Sequence, residues 1–199
     1  GVYSIPMAEF AICGVLELYK QFRFFYQNQK ENRWEKHRGL LELYGKSVAI
    51  IGCGNVGTEC AKRFSSFGCI VTGIDLFPYE NRFYTEIYSI DLIDDVISNA
   101  DIVVFTLPLT DRTRRLINDE RLKRLKNTAV IVNISRGAII DTEALVNRLP
   151  NIGGAVLDVF EEEPLPQYSH LWGMENVLIS PHNSFVGDGN KMRISNLIM

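Results

Sequence analysis

Strong charge of either sign is missing from this sequence: 21 Lys and Arg stand against 24 Asp and Glu, a net charge of −3. That balance excludes a basic footprint for a nucleic-acid backbone. The densest cationic stretches, Arg112-Thr-Arg-Arg and Arg121-Leu-Lys-Arg, read as solvated faces beside helices. No apolar run approaches the length of a membrane span and no secretory leader opens the chain, so a soluble, cytoplasmic protein with neither membrane nor nucleic-acid partners is expected. Cysteine is scarce. Cys13, Cys53, Cys60 and Cys69 lack C-x-x-C spacing and neighbouring histidines, which argues against a metal site and for small buried thiols. Internal repeats and low-complexity tracts are also absent. The chain opens on Gly-Val-Tyr without methionine and stops in "RISNLIM", an amphipathic segment with no stop signal, so a fragment of a longer protein is expected.

What is present is ample apolar content, 46% over 199 residues, enough for one large domain or for one domain with a partial second. Its most informative stretch is "IIGCGNVGTECAKRFSSFGCIVTGID", Ile50 to Asp75. Ser47 to Ile51 reads as a short buried strand, and Gly52 turns the chain out of it. Val56, Cys60, Phe64 and Phe67 then recur at helical spacing, with Asn55 suited to the helix start and Gly68 to the left-handed position past its end. Cys69 to Ile74 is a second buried strand. Within this strand–helix–strand unit Gly52, Gly54 and Gly57 fill the G-x-G-x-x-G spacing: the first permits the turn, the second lets backbone amides approach a pyrophosphate, and the third lets helix pack on strand. Asp75, eighteen positions beyond Gly57, closes the second strand where a carboxylate would accept hydrogen bonds from an adenosine ribose. The reading is a dinucleotide site. NAD is expected over NADP, because Asp75 would repel a 2′-phosphate and Leu76-Phe77 offers no arginine to receive one.

Upstream, apolar side chains at Met7, Phe10, Ala11, Val15, Leu18 and Phe22 predict one long helix from about Ile5 to Gln27 with a broad face that needs a partner. The polar segment "NQKENRWEKHRG" links it to the first strand, with Trp34 expected to pack down. Downstream, helices are expected over Asp91–Asn99, Asn118–Leu125 and Asp141–Leu149, capped in the last two by Asn118 and Asp141. Strands are expected over Ile102–Phe105, Ala129–Ile134, Gly154–Val159 and Val177–Ser180. Such alternation implies a parallel, doubly wound sheet with ligands beyond the carboxyl ends of its strands.

The residues following those strands, "TLPLTDRT", "NISRGAIID", "LDVFEEEPLP" and "ISPHNSF", carry a family likeness. The chain resembles the D-specific 2-hydroxyacid dehydrogenases over nearly its whole length, from "SIPMAEFAI" to "SPHNSF". The resemblance implies catalysis by three residues. Arg136, in "N-x-x-R-G", would grip the substrate carboxylate and polarise its carbonyl, a task that suits a guanidinium fork. His182, in "S-P-H", would be the acid/base. It is the histidine that follows an expected strand, whereas His37 lies in the linker and His170 in a loop. The run "FEEEP" gives no bottom-up choice among Glu161, Glu162 and Glu163; the family's spacing after "L-D-V" selects Glu163, which would orient the imidazole and favour its protonated form.

The same resemblance assigns Asp158 to the nicotinamide carboxamide, and Pro108 and Thr113 to a loop beside the adenosine half. With the glycine turn and Asp75, the implied cofactor set comprises Asn55, Val56, Leu107, Ile134, Ser135, Arg136 and His182 as well. Family members often carry a histidine just before the "PLT" loop, where this chain has Phe105-Thr106. The expectation is therefore a Rossmann-type doubly wound α/β domain with parts of a second, substrate domain absent: a first helix over 1–28 packing on or dimerising through the NAD domain, the NAD-binding domain over 29–181, and a return segment over 182–199. The implied activity is NAD-dependent hydride transfer on a small 2-keto or 2-hydroxy acid by a homodimer. The alternative is a non-catalytic, NAD-sensing dimerisation module of the co-repressor type. A formate dehydrogenase is disfavoured because that branch has glutamine where Glu163 stands.

Overall fold

The computed structural model describes residues 1–198. Its strands are β1 (Ser47–Ile51), β2 (Ile70–Asp75), β3 (Glu86–Ser89), β4 (Ile102–Phe105), β5 (Val130–Asn133), β6 (Gly154–Leu157) and β7 (Val177–Ile179). They form one sheet in the order β3-β2-β1-β4-β5-β6-β7, every neighbouring pair parallel. The helices are α1 (Ser4–Tyr19), α2 (Phe22–Lys30), α3 (Asn55–Ser66), α4 (Ile93–Ser98), α5 (Asp119–Arg124), α6 (Thr142–Arg148) and α7 (Asn190–Ile198).

A parallel sheet must be covered on both faces, and its strands are apolar at successive positions for that reason. Val48 and Ile50 of β1, Ile102 and Val104 of β4, and Val130 and Val132 of β5 face α1 and α3, meeting Ala8, Ala11, Val15, Cys60, Ala61 and Phe64. The alternate residues Ala49, Ile51, Val103, Phe105 and Ile131 face the other way, against Ile93 and Ile97 of α4, Leu122 of α5 and Leu145 of α6. The two short helices start where expected: Asn118 accepts the Arg121 amide at 3.1 Å and Asp141 the Ala144 amide at 3.1 Å.

Three expectations need correction. The single helix over Ile5–Gln27 is two, broken where Gln21 takes a left-handed conformation (φ 54°) and its side-chain amide donates to the Leu18 carbonyl at 2.8 Å. The break lets Arg23 turn towards β7 and donate to the Glu175 carbonyl at 2.9 Å. The apolar face of α1 packs inside the domain against α3, β5 and β6, the first of the two alternatives for it. Trp34 does not pack down but is 98% exposed, because the linker after α2 runs as irregular chain away from the core. Of the four thiols Cys13 is exposed; the other three are buried, and burial foremost pushes Cys53 and Cys60 up to about 12 and Cys69 to about 11. Two elements were not anticipated, the edge strand β3 and a helix, α7, within the return segment. Met199, last of the "RISNLIM" run, lies outside the described residues.

Candidate active site

Because every strand is parallel, the loops after β1, β2, β4, β5, β6 and β7 all emerge at one edge, and each expected site residue lies on one of them.

The glycine turn is built by close approach. Gly52 has φ +98° and lies where a Cβ would be 2.8 Å from the Leu107 amide nitrogen, while a Cβ on Gly57 would be 2.2 Å from the Gly52 carbonyl oxygen. Around Gly54 there is open space, and no side chain caps α3, leaving its first amides facing outward from a twelve-residue helix. Asn55 is exposed and Val56 half-buried at that first turn. These features fit a dinucleotide pyrophosphate: room for its approach, amide donors, and no competing carboxylate in the helix's first turn. Asp75 sits at the tip of β2, its Oδ2 accepting the Cys53 amide at 2.8 Å and its Oδ1 the Phe77 amide at 3.1 Å. Tyr79, which the sequence did not single out, donates its hydroxyl to the Cys53 carbonyl at 2.5 Å, so the two peptide groups flanking the Cys53 Cα are each held by a side chain. Thr106, standing where relatives often have histidine, donates to the Gly52 carbonyl at 2.5 Å. Beyond it Leu107 is buried, Pro108 exposed, and the Thr113 hydroxyl donates back to the Pro108 carbonyl at 2.8 Å, folding that loop into a compact turn.

At the end of β5, Asn133 organises the next loop. Its Oδ1 accepts the Ser135 amide and hydroxyl at 3.1 and 2.9 Å, and its Nδ2 donates to the Arg136 carbonyl at 3.1 Å. Ile134 and Ser135 are thereby buried while the Arg136 side chain stays exposed.

The three glutamates of "FEEEP" separate. Glu161 turns to Arg115 at 3.2 Å and to the Thr142 amide at 3.1 Å. Glu162 is exposed. Glu163 accepts the Phe160 amide on Oε1 at 3.0 Å and meets His182 Nδ1 with Oε2 at 2.9 Å. Burial pushes the Glu163 carboxyl up, but the bonds from His182 and the Phe160 amide, with the charges of His182 and Arg136, outweigh it and hold the group below its usual range. His182 has φ +53°, and a cavity of about 510 Å³ opens beside the pair, lined by Phe160, Pro164, Leu165, Trp172, Ile179 and Pro181.

Asp158, at the end of β6, is wholly buried. Its carboxylate accepts the Ser180 hydroxyl, the Asn183 amide at 2.7 Å and the Ser184 amide at 2.9 Å. The structure thus adds Tyr79, Thr106, Asn133 and Ser180 to the residues that shape the site. For Thr106, Asn133 and Ser180 a signal existed, a polar residue at the end of an otherwise apolar run; for Tyr79 there was none.

A parallel α/β domain with a glycine turn, a terminal acid on β2 and an arginine, imidazole and carboxylate at one sheet edge has the organisation of a dinucleotide-binding oxidoreductase domain. The chain belongs to the D-isomer-specific 2-hydroxyacid dehydrogenases, whose NAD-binding domain profile matches residues 12–184. It is 36% identical over 193 residues to a glyoxylate reductase of Thermofilum pendens, covering 92% of this chain and 56% of that one. It is likewise 36% identical to a D-3-phosphoglycerate dehydrogenase of Methanocaldococcus jannaschii, covering 90% and 35% respectively. A D-isomer-specific 2-hydroxyacid dehydrogenase from Xanthobacter autotrophicus Py2, solved with NADPH, superposes with a TM-score of 0.84 at 32% identity, covering 98% of this chain and 82% of that one. The chain therefore spans between a third and three fifths of the two curated relatives. No helix among the described residues is long and apolar enough to cross a membrane.

Proposed function

We propose that the protein to which this domain belongs interconverts a small 2-keto acid and its D-2-hydroxy acid. The observation that carries the reading is the His182–Glu163 pair at 2.9 Å, at the same sheet edge as Arg136 and the glycine turn. Gly52, Gly54 and Gly57 with the first amides of α3 would hold the pyrophosphate of NAD(H), and Asp75 the ribose. Bound NADH supplies the hydride that reduces the keto carbon. Arg136, exposed on its loop, binds the substrate carboxylate through two parallel N–H donors and draws electron density from the adjacent carbonyl. His182, with Nδ1 turned to Glu163, has Nε2 left to deliver a proton to the carbonyl oxygen in reduction or to take one from the hydroxyl in oxidation. Glu163 keeps the ring in that orientation.

Two finer readings go with this one. A second copy of the chain is the partner we propose, through the surface around α2 and the linker: Phe22, Tyr26, Trp34 and Tyr44 are 45%, 59%, 98% and 77% exposed, more aromatic surface than water tolerates without cost. The compartment is the cytoplasm, because all four cysteines are free thiols, the state a reducing environment maintains.

Steady-state assays of the full-length protein with NADH and a panel of 2-keto acids test the main reading. Reduction of at least one of them is expected. Tight NADH binding with no turnover of any would instead favour an NAD-sensing dimerisation module.

A further inference from the structure

Only six polar or charged residues of the described chain are buried, and four of them, Asn133, Ser135, Asp158 and Ser184, lie at the carboxyl ends of β5 to β7. Buried polar atoms are costly unless paired, so a cluster of them marks a place where the backbone is being held to a shape. Asp158 is the centre of that cluster. Its carboxylate takes the Ser180 hydroxyl, the Asn183 amide and the Ser184 amide, and its own carbonyl takes the His182 amide at 2.8 Å. Four donors from a five-residue loop thus converge on one residue. Its backbone amide is tied in turn to the Asn133 carbonyl at 3.0 Å, which links the loop to the strand end that carries Arg136.

The loop so wrapped has His182 in the left-handed region, φ +53°, where a side chain other than glycine is unfavourable unless its surroundings impose it. That conformation turns Nδ1 to Glu163. We infer that Asp158 is the positioning residue of the acid/base: its buried carboxylate is the template on which loop 180–184 folds, and it sets the aim of His182. This rests on the assignment of His182 made above. A wholly buried carboxylate presents no oxygen to a cofactor, so this role replaces the nicotinamide contact that the family resemblance implied for Asp158.

Asparagine has the shape of aspartate but one acceptor fewer. Either way the amide is turned, its NH₂ faces a backbone N–H, of Asn183 or of Ser184, in a wholly buried position. In the full-length enzyme Asp158→Asn should lower kcat on the order of a hundredfold and alter the pH profile of keto-acid reduction, because His182 no longer faces Glu163. The Kd for NADH should stay within about threefold, since Asp158 is wholly buried and lies apart from the glycine turn and Asp75. Weakened NADH binding with an unmoved pH profile would overturn the inference and leave Asp158 a cofactor contact alone. Should Asp158→Asn fail to fold, Ser180→Ala removes one of the four donors. It should alter the same profile with a kcat loss of about three- to tenfold; a profile identical to wild type would be adverse. A crystal structure of whichever variant folds keeps the inference separate from the catalytic reading. Even if the wild-type protein turns over no 2-keto acid, a Nδ1–Oε2 distance opened beyond hydrogen-bonding range supports the positioning role, and an unchanged loop refutes it.

Discussion

His182 stands where an acid/base must, with one ring nitrogen held and the other unengaged by the loop. A positioned histidine contributes about 10²- to 10⁴-fold to proton transfer, so His182→Ala in the full-length enzyme should reduce kcat by that order. The Kd for NADH, measured by fluorescence titration, should barely change. Glu163→Gln acts on the same proton differently. Reduction needs a proton delivered by a ring that the facing carboxylate holds in aim, so kcat should fall about tenfold or more while the Kd for NADH stays unchanged. An unchanged kcat would return the choice to Glu161, whose carboxylate is occupied by Arg115 and Thr142. Asp75 is the residue to which we assign a preference for NAD(H). A ribose diol hydrogen-bonded to it is worth on the order of 1 to 3 kcal/mol, and a 2′-phosphate would meet its negative charge, so calorimetry should find NADH bound well over tenfold more tightly than NADPH. That the X. autotrophicus relative was solved with NADPH makes comparable constants the outcome to look for. The two amides that Asp75 accepts add a condition: Asp75→Ala should weaken NADH binding without creating NADPH binding, because the glycine turn at Cys53 loses one of its two side-chain supports.

Helix α3 translates a packing arrangement into a binding one. Phe64 is completely buried between it and the sheet, so Phe64→Ala should cost about 3–5 kcal/mol in urea unfolding. The outward amides of its first turn lie two turns away and depend on that anchorage. At this scale the sequence was readable wherever burial alone decides conformation. Ile102–Phe105 is buried at every position and its bounds were legible as a run of branched and aromatic residues. Asn118 and Asp141 announced their helices because an N-cap is a local hydrogen bond. What could not be read was set by contacts distant in the chain. The break at Gln21 serves a bond from Arg23 to Glu175, 152 positions away. Edge strand β3 is paired on one side only, to β2, and its Glu86 and Tyr88 give no long apolar run. The same division holds in the site. Glycine spacing was visible, whereas the choice of Glu163 over its neighbours rested on family likeness until the 2.9 Å contact with His182 separated them.

Taken whole, the molecule puts its chemistry at one edge of the sheet and its anchoring at the other. At the amino ends of the strands Asp101 bonds Ser47 and Lys126, and although burial pushes its carboxyl up, those bonds hold it below its ordinary value of 3.8. Glu163, at the opposite edge, is held below 4.5. A carboxyl whose folded value is depressed contributes stability that is complete above its unfolded value and is lost as pH falls through the folded one. Thermal unfolding should therefore lose little between pH 7 and 5 and decline below about pH 4.5. The Asp101 and Glu163 contributions should disappear there, and Lys126→Met should flatten part of that decline. A domain open at its carboxyl edge also leaves the reaction centre to water. Residues 1–199 alone should bind NADH in a fluorescence titration, because the glycine turn, the first amides of α3 and Asp75 all lie within them.

Cys13 gives that titration a convenient handle. Three of the four sulfurs are sealed in the core with thiols pushed up to about 11 or 12, which leaves them unreactive near neutrality, while Cys13 alone is exposed, on α1. A maleimide fluorophore added at pH 7 should therefore attach at a single place on the native fold, without engineering away the other cysteines. Energy transfer to that dye from bound NADH, whose fluorescence overlaps a suitable acceptor, would then report cofactor binding in real time.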